Sequence, residues 1–148
     1  MEEWERGAVL HQNPGRDEIR DLLSASKTVA VVGLSDRPYR TSHAIARALQ
    51  GFGFEIFPVN PRLNGPVLGE EPFSVVREIP SRVDIVDVFR RSEEVMPVAR
   101  DAVAAGARIL WMQSGIVNEE AAAYAQERGL TVVMNRCIKV DYALLVGR

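Results

Sequence analysis

Three arginines stand just past two strand-like runs. Arg37 and Arg40 follow Val29–Val32, and Arg62 follows Phe54–Val59. A guanidinium is a planar fork of N–H donors that matches phosphate oxygens. Gly33 opens the first of these loops, where a residue without a side chain lets backbone approach an anion, and Leu34, Ser35 and Thr41 complete it. Val59, Asn60 and Pro61 carry the second run into Arg62. Arg90, the pair Gln113–Ser114, and Asn135 with Cys137 follow three further apolar runs. The set is rich in cations, hydroxyls and amides and poor in acids, which suits the gripping of a phosphorylated, anionic ligand. For each arginine taken singly, the competing role is an ordinary solvated surface position.

Other reactive residue types read differently. Asp87 falls inside an apolar run, where a carboxylate needs a partner, and a rim arginine is the natural one. Its role is then structural, since no second acid is placed beside it for acid–base work. Cys137, the one cysteine, could be a reactive thiol but is read as a small packed residue. His43 is expected on the surface of a helix, and Trp111 and Met112 in the core. His11, His43 and Cys137 lack metal-ligand spacing. The chain has neither a G-x-x-x-x-G-K-[ST] loop nor a G-x-S-x-G elbow.

The elements that must position the arginines follow from periodicity. Five strand-like runs, Val29–Val32, Phe54–Val59, Val83–Phe89, Arg108–Met112 and Thr131–Met134, recur about every 25 residues. Helical patterns precede and separate them: Arg16–Ser26, Thr41–Gln50, a short one near Ser74–Glu78, Glu93–Ala104, and Asn118–Glu127 with Asn118 as N-cap. Gly51 (with Gly53), Gly106 and Gly129 close helices ahead of strands. Alternating apolar strands and helices predict an α/β fold, a Rossmann-like, doubly wound, parallel five-stranded sheet in one three-layer domain over 1–148, with 1–15 a polar lead-in. In such sheets ligands bind outside the carboxyl ends of the strands, at the point where strand order reverses. That rule gathers Gly33–Arg40, Val59–Leu63, Phe89–Ser92, Gln113–Gly115 and Asn135–Cys137 onto one rim. The G-x-G-x-x-G fingerprint is missing, and Asn60-Pro61-Arg62 stands where an NAD enzyme carries an acid, so NAD is not the expected occupant.

Composition narrows the class. A hydrophobic fraction of 47% with 26% charged residues is that of a soluble globule. A net charge of −2 argues against a nucleic-acid partner, which would demand excess basic charge. A single cysteine permits no internal disulfide and fits a reducing, cytoplasmic location. The charged N-terminal stretch lacks the apolar core of a signal peptide, and no run is long enough to span a membrane.

Across VAVVGLSDRP (Val29–Pro38), PVNPRLNG (Pro58–Gly65), VDIVDVFRRSE (Val83–Glu93), ILWMQSGIVNEEAA (Ile109–Ala122) and VVMNRCIKVD (Val132–Asp141), the chain resembles the CoA-binding domain family. That family includes small stand-alone bacterial proteins and the N-terminal domain of the succinyl-CoA synthetase alpha subunit. The synthetase's Thr-Gly-Lys-Gln loop falls on Ser35, Asp36, Arg37 and Pro38, keeping a hydroxyl and a positive charge. Its lysine after the second strand falls at Arg62 or Leu63, and chemistry favours Arg62. Its contact segment after the fourth strand falls on Met112, Gln113 and Ser114. Asn135 and Cys137 match part of its Pro-Asn-Cys-Pro-Gly segment, without the prolines or the last glycine.

The resemblance implies that coenzyme A or an acyl-CoA is bound, by Gly33, Leu34, Ser35, Arg37, Arg40, Thr41, Val59, Asn60, Pro61, Arg62, Arg90, Gln113, Ser114, Asn135 and Cys137. It implies a binding or regulatory role rather than ligase activity, because nothing here matches the synthetase's catalytic histidine or its ATP-grasp domain. Two alternatives stay open. One is an NADP-binding oxidoreductase or sensor, with Arg62 on the 2′-phosphate. The other is an interaction module whose docking on a protein partner responds to CoA.

Overall fold

The computed structural model describes residues 10–147. Arg148 and the first nine residues of the lead-in expected over 1–15 lie outside the described residues. The elements run α1 (Arg16–Ala25), β1 (Thr28–Val32), α2 (Thr41–Gly51), β2 (Glu55–Val59), β3 (Ile85–Val88), α3 (Val95–Ala104), β4 (Ile109–Met112), α4 (Glu119–Glu127), β5 (Thr131–Val133) and α5 (Ile138–Asp141). The five strands form one sheet in the order β2-β1-β3-β4-β5, with every pairing parallel. This is the expected doubly wound, Rossmann-like architecture, and its strand order reverses between β1 and β3.

The core follows from strand alternation, since successive side chains point to opposite faces. Ala30, Val32, Val86, Val88, Leu110 and Met112 pack one face against Val95, Ala99 and Ala102 of α3 and Ala121, Ala122 and Ala125 of α4. Val29, Val31, Ile85, Ile109 and Trp111 pack the other against Ile19 and Leu23 of α1, Ile45, Ala46 and Leu49 of α2, and Ile138 of α5. Trp111 and Met112 are fully buried, as expected.

Four local features differ from the sequence expectations. Gly53, at φ +105°, takes the left-handed conformation after α2, while Gly51 is the helix's last residue. The short helix near Ser74–Glu78 is a single turn over Val76–Glu78, whose first amides donate to the buried Asp101 carboxylate at 2.6 and 3.2 Å. His43, expected at the surface, is buried. The C-terminal segment forms α5 and a wider turn over Tyr142–Val146. Tyr142 stacks on Phe52 at 4.3 Å and meets Phe54 edge-on at 5.4 Å. Exposed Val140 and Leu144 blur the apolar period there, and Cys137 supplies no side-chain cap, so tertiary packing rather than local pattern holds this turn.

Ahead of α1, Asn13 lies along the outer edge of the sheet. Its amide accepts from the Met134 N–H and donates to the Met134 carbonyl, both at 2.8 Å, so it stands in for a neighbouring strand just past β5.

Candidate functional site

The reversal between β1 and β3 opens a crevice whose first wall is the loop from Gly33 to Arg40. Gly33 sits at φ +89°, and a Cβ there would stand 2.5 Å from the Phe89 carbonyl oxygen, so only glycine fits. Its N–H donates to the Val59 carbonyl at 2.8 Å, tying the loop to the end of β2. Leu34 is fully buried, and its carbonyl accepts from the Asn60 side chain at 3.1 Å. The Ser42 hydroxyl accepts from the Ser35 N–H at 3.0 Å, and the Ser35 hydroxyl from the Arg37 N–H at 3.1 Å. In the facing loop, the Asn60 side chain accepts from the Arg62 N–H at 3.0 Å. These side-chain-to-backbone bonds hold both turns in shape before any ligand arrives.

The two turns surround a cavity of about 550 Å³ lined by Gly33, Ser35, Arg37, Arg40, Thr41, Asn60 and Arg62, with Ser42, Leu63, Phe89 and one acid, Asp36. Among the described residues, Arg37, Arg40 and Arg62 have no carboxylate within 4.0 Å. Tyr39, 75% exposed, accepts from the Arg37 guanidinium at 3.3 Å, and its ring centroid lies 5.9 Å from that of Arg40. Three cations and three hydroxyls around an open space match the oxygens of a polyphosphate.

Thr41 and Phe89 also line a second cavity of about 480 Å³, with Ile45, Gln113, Ser114, Ile116 and Cys137, and with Arg90 and Arg91. Its character is mostly apolar. The Gln113 side-chain oxygen accepts from the Ile138 N–H at 3.1 Å. Arg91 pairs with Glu93 at 3.5 Å and Glu94 at 2.8 Å. The Arg91 hydrogen bond, then its charge, holds the Glu94 carboxyl below its usual range, with Arg90 and Arg62 adding at longer reach. A third cavity, of about 430 Å³ and lined by Val59, Pro61 and Arg90, opens beside α3. Leu34 and Asn135 lie outside all three spaces. Asn135, at φ +60°, accepts instead from the Gly115 N–H at 2.7 Å and clasps two rim loops together.

Asp87 corrects an expectation. It is fully buried on β3, opposite Val31 and Trp111, and among the described residues neither carboxylate oxygen has a hydrogen-bond partner. Among the described residues no arginine lies within 4.0 Å of it, since Asp87 is fully enclosed within the sheet. Burial alone pushes its carboxyl well above the usual range, toward the neutral acid. Sequence reasoning also passed over Ile116 as a cavity residue, since an isolated apolar side chain in a loop carries no periodic signal.

Among the described residues, no helix is long and apolar enough to cross a membrane. A family model of the CoA binding domain matches residues 27–143. The uncharacterized protein YneT of Bacillus subtilis is 49% identical over 133 residues, which is 90% of this chain and 98% of that one. A hypothetical protein from Pyrococcus horikoshii shares 31% identity and superposes with a TM-score of 0.88, over 99% of this chain and 100% of that one. A dinucleotide-forming acetyl-coenzyme A synthetase from Ca. Korarchaeum cryptofilum, in complex with phosphate and ADP, is 26% identical with a TM-score of 0.68. That match covers 78% of this chain and 28% of the synthetase chain. With a family match over most of its length, on a doubly wound sheet whose crevice is lined by arginines, the chain belongs to the CoA-binding domain family.

Proposed function

We propose that this protein binds coenzyme A or an acyl-CoA across the crevice at the carboxyl ends of its strands. The observation that carries this is a pair of unlike spaces that share Thr41 and Phe89 as walls, one ringed by three arginines and one mostly apolar. The diphosphate rests on the Gly33–Arg40 loop and the start of α2, where unpaired helix N–H groups and the dipole favour an anion. Arg62 takes the ribose 3′-phosphate, and the adenosine lies toward Val59–Pro61. The pantetheine arm passes Thr41 and Phe89 toward Gln113, Ser114 and Cys137. The role proposed is binding, because guanidinium cations and hydroxyls grip phosphate oxygens.

Calorimetric titration with CoA, dephospho-CoA and NADP tests this. CoA is expected to bind at least tenfold tighter than dephospho-CoA, reflecting the charge-assisted bonds to the 3′-phosphate. Equal affinity for the two would remove Arg62 from that phosphate. Binding of NADP alone would assign the crevice to a dinucleotide.

A further inference from the structure

Resting on that reading, we infer that Gln113 is the residue that recognises the pantetheine arm, its side-chain NH2 donating to an amide carbonyl of that arm. Gln113 is the first residue past β4, and its own carbonyl accepts from the Ile116 N–H at 2.9 Å, closing the turn that follows the strand. Its side chain is only 4% exposed and lines the mostly apolar cavity with Ile45, Phe89 and Cys137. The Ile138 N–H, at the start of α5, lies 3.1 Å from one branch of the amide. A backbone N–H can only donate, so that branch is the oxygen, and the direction of the NH2 branch is thereby fixed. Among the described residues the NH2 has no partner, yet it is not sealed within the protein, so it opens on the cavity.

The other polar side chains of this wall stand differently. Thr41, Arg91 and Ser114 are exposed and Arg90 is half-buried, so water serves them with or without a ligand. A buried donor that lacks a partner gains most from an acceptor brought to it, because its desolvation has already been suffered in the free protein. The pantetheine arm brings carbonyl oxygens, which are strong acceptors, and a thiol, which is a weak one. The Gln113 donor therefore reads the amide backbone of the arm.

Calorimetric titration of the full chain with CoA and with adenosine 3′,5′-diphosphate, which keeps the nucleotide end and lacks the arm, tests this in the parent, Gln113→Glu and Gln113→Met. Gln113→Glu keeps an acceptor for Ile138, Gln113→Met adds no charge, and the two share only the loss of the donor. Each is expected to bind CoA about tenfold more weakly than the parent, the scale of one desolvated hydrogen bond, and to bind adenosine 3′,5′-diphosphate unchanged. In the 15N-labelled parent, which needs no variant to fold, the Gln113 side-chain NH2 resonances are expected to shift with CoA and not with adenosine 3′,5′-diphosphate. Parental CoA affinity in both variants, or an NH2 signal that CoA leaves in place, overturns the donor and leaves CoA binding standing. Equal losses for the two ligands make Gln113 a shaper of the crevice and overturn its reading of the arm. Failure of the parent to bind either ligand overturns CoA binding itself, and this inference with it.

Discussion

The two ends of the sheet are built to opposite rules. Where the strands begin, Asp84 accepts from the Lys27 and Thr28 amides at 2.7 and 3.3 Å and sits 3.6 Å from Arg82. The Thr28 hydroxyl completes the clasp, donating to the Arg82 carbonyl and accepting from the Asp84 N–H, both at 2.9 Å. Where the strands end, Arg37, Arg40 and Arg62 ring a cavity with no carboxylate within 4.0 Å among the described residues. Committed polar groups stabilise one end, and uncommitted ones leave the other able to receive a ligand. Between them lies Asp87, buried like Asp84 but without a partner among the described residues.

If that division holds, changes at one end alter binding and changes at the other alter stability. The largest effect is expected from the double variant Arg37→Ala, Arg62→Ala. CoA affinity measured by calorimetry should fall by about a hundredfold or more, since each lost charge-assisted bond is worth roughly 1.5–3 kcal/mol. The urea midpoint should stay close to that of the parent chain. Retained affinity would break the comparison at its ligand end.

Asp84→Ala is expected to do the reverse. Two amides lose their acceptor at the foot of the sheet, at a cost of about 2–3 kcal/mol in chemical denaturation, while CoA affinity at saturating folded fraction is unchanged. A variant of parental stability would show that the clasp carries no net free energy.

Asp87 sharpens the contrast through pH. Below the ordinary value of 3.8, folded and unfolded chains both hold its proton. Above it only the unfolded chain releases the proton, so stability falls by about 1.4 kcal/mol per pH unit until the folded carboxyl also ionises. Asp87→Asn removes this fall, so its stability relative to the parent should rise between pH 4 and pH 7. Parallel pH profiles for the two proteins would mean that the carboxyl finds a partner in solution.

The smallest effect is expected at Tyr39. Tyr39→Phe removes the hydroxyl that accepts from Arg37 and keeps the ring near Arg40. CoA affinity should drop about twofold, the scale of one exposed hydrogen bond. A loss beyond tenfold would make Tyr39 a direct ligand contact rather than a residue that positions Arg37.

Much of this was legible in the chain because its signals are local. The strand runs, the helix faces at Ile45 and Leu49, the Asn118 cap and the Gly33 turn each depend on neighbours within a few residues, and all appear as expected. Asn118 accepts from the Ala121 N–H at 2.8 Å, the contact such a cap exists to make. The turn over Tyr142–Val146 was not legible, since its stability comes from Phe52 and Phe54, far away in sequence. Nor was the isolation of Asp87, which depends on what distant segments pack around it.

The sequence by itself determined the parallel α/β architecture, the glycine at the β1 turn and the loops that carry the arginines, because periodicity and turn chemistry act over a single element. Only the tertiary structure decided that Arg37, Arg40 and Arg62 meet around one space without a carboxylate partner among the described residues, and that Ile45, Phe89, Ile116 and Cys137 line another. It also left Asp87 without a partner among the described residues. Pairing, burial and enclosure are relations between distant segments, and they exist only once the strands have set those segments side by side.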